Sequence, residues 1–313
     1  MASAKEVKNR IKSINDTQKI TNAMYLISSM KLRKAKEQLE KAMPFFYALD
    51  PAIGDFLKAV PDINNIYFDD YVPPRPSRAN RDDDDRKKKT VRAYLVVTAD
   101  KGLAGAYNHN VIKQVETLLQ KAMDVDDSVE NQLFVVGELG RQYFYARDIK
   151  VSHNFLYTAQ DPKLSRARAI TMYILPRYER GEIDEVYLIY TSMVSSMRQE
   201  VKTERLLPLH KAEYITLDAE SAKLEQQEFH TFPSSDEVVN RIMPNYFAGF
   251  VYRALVEAFA CEQNARMTAM KAANDNASEM LKSLNIQYNR IRQASITQEI
   301  TEVIGGAKAL RSK

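Results

Sequence analysis

Along the first part of the chain, apolar or small residues recur at alternating steps of four and three. They are Val7, Ile11, Ile14, Gln18, Thr21, Tyr25, Ser28, Leu32, Ala35, Leu39, Ala42, Phe46, Leu49, Ile53 and Phe56. Such a heptad stripe is the seam of a coiled coil, because it keeps one narrow face of an α-helix turned toward a partner. Ser3-Ala-Lys-Glu6 has the Ser-x-x-Glu form of a capping box, in which the serine oxygen and the glutamate satisfy unpaired backbone N–H groups where a helix starts. No glycine precedes Gly54, and only Pro44 and Pro51 interrupt the pattern, so a kink or a new helix start is expected there. An uninterrupted helix of some 50 residues spans roughly 75 Å.

The C-terminal end repeats the design. Ser234-Ser-Asp-Glu237 is a second capping box, and Gly305-Gly306 supplies a stop signal. Between them Phe247, Val251, Ala254, Ala258, Cys261 and Ala265 form one stripe, and Ala277, Leu281, Leu284, Tyr288 and Ile291 form another. Only Pro244 and Gly249 weaken this helix, which would be on the order of 100 Å long. Two long helices at opposite ends of a chain, each with a single seam, bury those seams most economically against each other as an antiparallel pair.

In the middle of the chain the heptad gives way to short apolar runs alternating with helical stretches. Ala93 to Thr98, Leu133 to Val136 and Val186 to Tyr190 read as buried strands; Asn110 to Ala122 and Leu164 to Tyr178 read as helices. Alternation of this kind predicts a layered α/β structure around a largely parallel sheet. The stretch from Pro61 to Thr90, with PPRPSRANRDDDDRKKK inside it, combines clustered prolines with opposed charge blocks and reads as a mobile surface loop. The expected organisation is a first long helix over 1–58, an insertion over 61–90, an α/β domain over 91–215 and a second long helix over 234–313. In class this is a mixed α/β and α+β protein, a long antiparallel two-helix coiled coil plus a central Rossmann-like domain.

Charge and composition narrow the function. A net charge of +4 falls short of the concentrated positive field of a dedicated nucleic-acid binder. The distribution is uneven, since residues 1–43 alone carry +6. A lone cysteine, Cys261, excludes an internal disulfide and a multi-thiolate zinc site, and reads as a small buried hydrophobe. MASAKEVKNRIKS lacks the apolar core of a secretory signal, and no run of about 18 apolar residues occurs, which predicts a soluble or peripheral protein.

Catalytic patterns do not emerge. There is no Gly-x-x-x-x-Gly-Lys-Ser/Thr loop to cradle phosphates and no Gly-x-Ser-x-Gly elbow. His109, His153, His210 and His230 lie far apart without metal-ligand spacing, so neither a metal site nor a cofactor is expected. The one tempting feature is Thr98-Ala-Asp-Lys-Gly-Leu-Ala-Gly105, a glycine-bearing turn between a strand and a helix, where dinucleotide enzymes place their phosphate loop. It lacks Gly-x-Gly-x-x-Gly, and tight turning alone accounts for its glycines. Two other readings stay open on the residues alone: a Rossmann-like enzyme with a helical arm, and a coiled-coil nucleic-acid protein using the +6 helix on phosphates.

Both ends of the sequence resemble the gamma subunit of F-type ATP synthases. The resemblance is carried by Asn15-Asp-Thr-Gln-Lys-Ile-Thr-Asn-Ala-Met24, by Glu262-Gln-Asn-Ala-Arg-Met-Thr-Ala-Met-Lys-Ala-Ala-Asn-Asp-Asn-Ala277, and by Ile296 to Ala307, which fits Ile-Thr-x-Glu-x-x-Glu-x-x-x-Gly-Ala. The middle agrees less tightly: Asp100-Lys-Gly-Leu-Ala-Gly105 has alanine where the family has cysteine, and 61–90 looks like an insertion. The resemblance implies a non-catalytic central rotor shaft, its paired helices inside a hexamer of alternating alpha and beta subunits. It also implies that the α/β domain is a foot joining the epsilon subunit and the membrane c-ring, so that proton or sodium flow is coupled to ATP synthesis or hydrolysis. No nucleic acid is implied as a partner. Residues matching the family's beta-subunit contacts are Met24, Arg266, Gln293, Thr297 and Glu299, and Ile20, Met24 and Ile27 are expected to give the first helix a second apolar face. With no cysteine pair, thiol control is not expected. The implied location is peripheral, on the cytoplasmic face of a bacterial plasma membrane, or at a mitochondrial inner membrane if a presequence has been removed.

Overall fold

The computed structural model describes residues 4–72, 89–125, 129–156, 159–195, 198–216 and 234–311. Two long helices bracket the chain, α1 (Ala4–Ala59) and α6 (Ser235–Arg311). Between them lie β1 (Thr90–Val97), α2 (Tyr107–Val125), β2 (Val129–Val136), α3 (Glu138–Tyr145), β3 (Val151–Phe155), α4 (Leu164–Glu179), β4 (Glu185–Met193), β5 (Gln199–Leu207) and α5 (Lys211–Thr216). The chain divides into two compact units, Met1–Met30 with Arg266–Lys313, and Lys31–Ala265.

The first unit is a helix pair. Every predicted seam position from Val7 to Ser28 is buried or half-buried, whereas Lys8, Lys12, Lys19 and Ile20 between them are exposed. The pairing is antiparallel: the Gln18 side-chain amide donates to Ser278 Oγ at 2.8 Å, and one turn further along α1 the Thr21 hydroxyl donates to Asn274 Oδ1, one turn back along α6. The helix pair is thus held by a narrow seam with polar rungs.

The second unit is layered. Its five-stranded sheet has the order β3-β2-β1-β4-β5, parallel throughout except for the antiparallel β4–β5 edge. Both faces of the central strands are buried, which is why their sequences read as unbroken apolar runs rather than alternating ones. Ala93, Leu95 and Val97 face α4 and the segments of α1 and α6 that belong to this unit, through Ile53, Leu57, Ile174, Phe247 and Val251. Tyr94 and Val96 face α2, through Val111 and Val115.

Three expectations are corrected, and three elements went unread. Pro44 and Pro51 do not interrupt α1. Both are exposed and lie two turns apart on one side, while Ile53, Phe56 and Leu57 just beyond them are buried in the core, which offsets the roughly 3 kcal/mol cost of an interior proline. Gly305-Gly306 does not end α6, which runs on to Arg311. A glycine stop draws on an apolar contact between the chain beyond it and the last turn, and residues 292–307 are all exposed, so no contact favours a reversal. Strands β3 and β5 and helix α3 were not legible, because edge elements carry Ser152, His153, Lys202 and Glu204 among few apolar residues.

The third concerns the first part of the stretch expected to be a mobile loop over 61–90. Residues 73–88 lie outside the described residues, but 61–72 is packed. Ile63, Tyr67 and Phe68 are buried, Phe68 bridges to Leu209, and Tyr178 donates from its hydroxyl to the Ile66 carbonyl at 2.7 Å. The segment is closed by Asn64, whose side chain both donates to the Val72 carbonyl and accepts from its N–H at 2.8 Å. The prolines and charge blocks downstream masked the apolar residues that pin its first part.

Candidate functional site

The turn after β1 is where an α/β sheet of this topology would hold a phosphate, at amides of a helix N-terminus. Here residues of that turn instead accept from the first amides of α3, the helix after β2. At the start of α3, Glu138 N–H donates to Asp100 Oδ1 at 3.1 Å, Leu139 N–H to the Ala99 carbonyl at 3.1 Å, and Gly140 N–H to Thr98 Oγ1 at 3.1 Å. The Asp100 carboxylate therefore caps the N-terminus of α3, the helix that follows β2. The Thr98 hydroxyl in turn donates to the Val136 carbonyl, tying β1 to β2.

The glycines that matter are not those of the turn. A Cβ on Gly102 or Gly105 would meet nothing within 4 Å, although Gly105 has a positive φ of 55°. A Cβ on Gly137 would lie 2.2 Å from the Thr98 carbonyl oxygen and one on Gly140 2.6 Å from its hydroxyl. Gly137-Glu-Leu-Gly140 was the signal available in the sequence, a pair of glycines straddling a strand-to-helix turn. An open cavity of about 460 Å³ beside it is lined by Asp100, Lys101, Glu138, Arg141, Asn154 and Leu156, among others. Arg141 and Glu138 are paired with each other there, and Glu138 lies below the ordinary carboxylate range because Arg141 and then Gln142 donate to it. No nucleophile stands against a base in this group.

The family-derived contact residues lie elsewhere, and they do not form one patch. Met24 is half-buried on α1, and Arg266 is only 8% exposed on α6. Gln293, Thr297 and Glu299 are exposed near the end of α6, 27 residues and hence about 40 Å of helix beyond Arg266. Gln293 and Thr297 share a face, and the Thr297 hydroxyl donates to the Gln293 carbonyl at 2.9 Å. Glu299, two residues past Thr297, points to a different side, because positions two apart do not face each other on a helix. These three residues occupy two sides of the helix instead of decorating one.

Around them lies apolar surface that the chain does not cover. Ile296, Ile300, Val303 and Ile304 repeat at helical spacing and are 44–71% exposed. On α1, Ile20, Leu26, Ile27 and Met30 are at least half exposed, so the expected second apolar face is present, except that Met24 is partly covered. An exposed stripe of branched apolar residues is costly in water unless a partner removes it.

A pair of long helices and an α/β unit, with apolar surface left uncovered on both long helices, is the architecture of a subunit that works on its neighbours. Comparison with known proteins gives the particular family. A description of the ATP synthase family matches residues 3–310. The ATP synthase gamma chain of Ruminiclostridium cellulolyticum is 43% identical over 315 residues, covering 98% of each chain. The sodium-ion-specific ATP synthase gamma chain of Acetobacterium woodii is 38% identical over 317 residues, covering 97% of this chain and 98% of that one. In three dimensions the chain resembles a component of the Euglena gracilis mitochondrial ATP synthase OSCP/F1/c-ring assembly, with a TM-score of 0.60 at 13% identity over 99% of this chain and 95% of that one. It also resembles one from the Tetrahymena thermophila central stalk and c-ring, with a TM-score of 0.53 at 24% identity over 81% and 99% respectively. This chain belongs to the ATP synthase gamma-chain family, and it is a non-catalytic member of that enzyme complex.

Proposed function

We propose that this protein is the central rotor stalk of an F-type ATP synthase. The helix pair turns inside the alternating alpha and beta subunits, and the α/β domain joins the epsilon subunit and the c-ring. Rotation carried between ring and hexamer couples proton or sodium flow to ATP synthesis or hydrolysis. Among the described residues no helix is long and apolar enough to cross a membrane, and membrane association would run through the c-ring, on the cytoplasmic face of a bacterial plasma membrane.

The observation that carries this reading is the bare end of α6. Residues 292–307 are exposed on every side of a helix that still presents Ile296, Ile300, Val303 and Ile304. The exposed apolar stripe and the exposed polar residues around the rest of the circumference suit a partner that surrounds the helix and meets the stripe at some angles and the polar sides at others. Gln293, Thr297 and Glu299 are then donors and acceptors met by a beta subunit at different rotor angles, and Met24 and Arg266 act at other levels of the shaft. Contacts made in some angles and broken in others are what couples rotor position to catalytic-site affinity.

Reconstitution tests it. Ile300→Asp with Val303→Asp should leave the melting temperature of the isolated chain unchanged, because neither side chain is packed, and should abolish recovery of an alpha/beta hexamer with this chain as bait. Gln293→Ala with Thr297→Ala and Glu299→Ala should assemble but lose ATP-driven ion pumping. Full assembly and pumping in both variants would overturn the reading. Stimulation of ATP hydrolysis by added sodium separates a sodium-coupled enzyme from a proton-coupled one.

A further inference from the structure

The α/β domain and α6 meet, within the unit Lys31–Ala265, through two kinds of contact. Most is apolar, with Ala254 and Ala258 of α6 against the sheet core. The remainder is a row of polar contacts on one side of α6, at Arg253, Glu257 and Cys261, each one turn beyond the last. The Arg253 guanidinium stands 3.6 Å from Glu204 of β5, which also accepts from the buried Tyr190 hydroxyl at 3.1 Å. Glu257 accepts from the Ser192 hydroxyl at 2.5 Å and from the Met193 backbone N–H at 3.0 Å. The Gln199 side-chain amide donates to the Cys261 carbonyl at 3.0 Å. Ser192 and Tyr190 are only 4% and 1% exposed. Ser192 and Met193 close β4 and Gln199 opens β5, so two of the three rungs grip the tip of one hairpin.

We propose that this row is a registration ladder that fixes the β4–β5 hairpin at one angle and one height on α6, and that it carries torque between the α/β domain and the helix. The torque half of the statement rests on the rotor reading; the register half does not. Apolar packing resists separation but is non-directional, so a helix face can slip along a sheet at little cost. Hydrogen bonds weaken steeply off axis, and those to charged groups are the stronger ones, so the rungs resist the sliding that packing allows. Burial works against the Arg253 charge, and Tyr190, Glu204 and Glu257 more than offset it, which keeps the first rung ionic.

The test uses the reconstituted holoenzyme, with the hexamer fixed to a surface and a rod attached through Tyr145→Cys, an 84% exposed position of the α/β domain. Cys261 does not compete for the label, because burial pushes its thiol up to about 12. Ser192→Ala with Glu257→Ala should raise the angular variance of the rod about twofold, as expected if charge-assisted bonds supply half of the lateral restraint. Glu257→Gln, which keeps a carbonyl acceptor, should bring it back toward wild type. Tyr178→Phe, which removes a hydrogen bond outside the row, should not change it. Amide exchange on the same variants reads register without rotation: the Met193 and Gln199 amides should lose protection in the Glu257→Ala variant and keep it in Tyr178→Phe. Ser192→Ala alone is the milder variant should the double one fail to assemble. Wild-type variance together with wild-type hairpin protection in an assembled double variant overturns the ladder, whereas a wild-type rod that does not turn on ATP overturns the rotor reading and leaves the exchange result to decide the ladder.

Discussion

The unit Lys31–Ala265 and the paired ends Met1–Met30 and Arg266–Lys313 draw on similar residues and use them in opposite ways. In the former, Leu57, Leu95, Phe134, Ile170, Ile174 and Phe247 are at most 2% exposed, stacked between one face of the sheet and its helices. In the latter, fully buried side chains such as Val7 and Ser28 are few, most seam positions are half-covered, and large apolar residues face outward. One unit is stabilised by what it buries in itself. The other leaves apolar surface to be buried by something else, so its measured stability in isolation understates the stability it has when assembled.

That contrast can be broken most directly by removing one apolar side chain from each unit. Leu57→Ala should destabilise the isolated chain by about 2–5 kcal/mol, the usual cost of a cavity in a packed core, while Ile300→Ala should fall within about 0.5 kcal/mol of wild type. Chemical denaturation of both checks it. Comparable losses would mean that the end of α6 is packed in solution after all.

A smaller loss tests the tie between the end of β1 and the start of α3. Gly137→Ala puts a Cβ against the Thr98 carbonyl at a φ of 100°, a strained conformation costing about 1–3 kcal/mol. Gly305→Ala meets no neighbour and should change sign, stabilising the helix by about 0.5–1 kcal/mol. Circular dichroism during thermal unfolding distinguishes the two.

Acid should loosen the second unit at a defined place. Burial tends to raise the Asp69 carboxyl, but His210 and then the Lys211 backbone N–H donate to it and hold it below the usual aspartate range. Its folded value is thus lower than its unfolded one, so its contribution is complete above the ordinary aspartate value of about 4 and is lost as pH falls through the lower folded value. Protection of the amides near Phe68 and Leu209 should fall over that window, and Asp69→Asn should flatten the dependence. For the same reason any shortening of the insertion should start beyond Val72, because a cut at Asp69 removes this tie and the Asn64–Val72 pair.

The smallest effect belongs to the helix pair. Gln18→Ala and Ser278→Ala should each cost about 1 kcal/mol, and a double-mutant cycle should return a coupling of that order, because one hydrogen bond joins them. Additive losses would place the helices in another register.

What the sequence by itself determined is set by periodicity and local chemistry. The seam from Val7 to Leu39, the strands around Leu95, Phe134 and Leu188, the helix α4 and the start of α6 at Ser234, whose hydroxyl accepts from Glu237 N–H at 3.2 Å, were all legible because each reports its own burial or its own cap. So was the family, from Glu262 to Ala277 and Ile296 to Ala307. The tertiary structure alone decided that Pro44 and Pro51 are carried within one helix, that Gly305-Gly306 does not end one, and that Asp100 caps α3. It also decided that polar residues such as Glu204, Gln199 and Ser192 lie in edge strands. Each of these depends on a partner distant in sequence, and a residue's own pattern carries no record of whether that partner is there to offset the local cost.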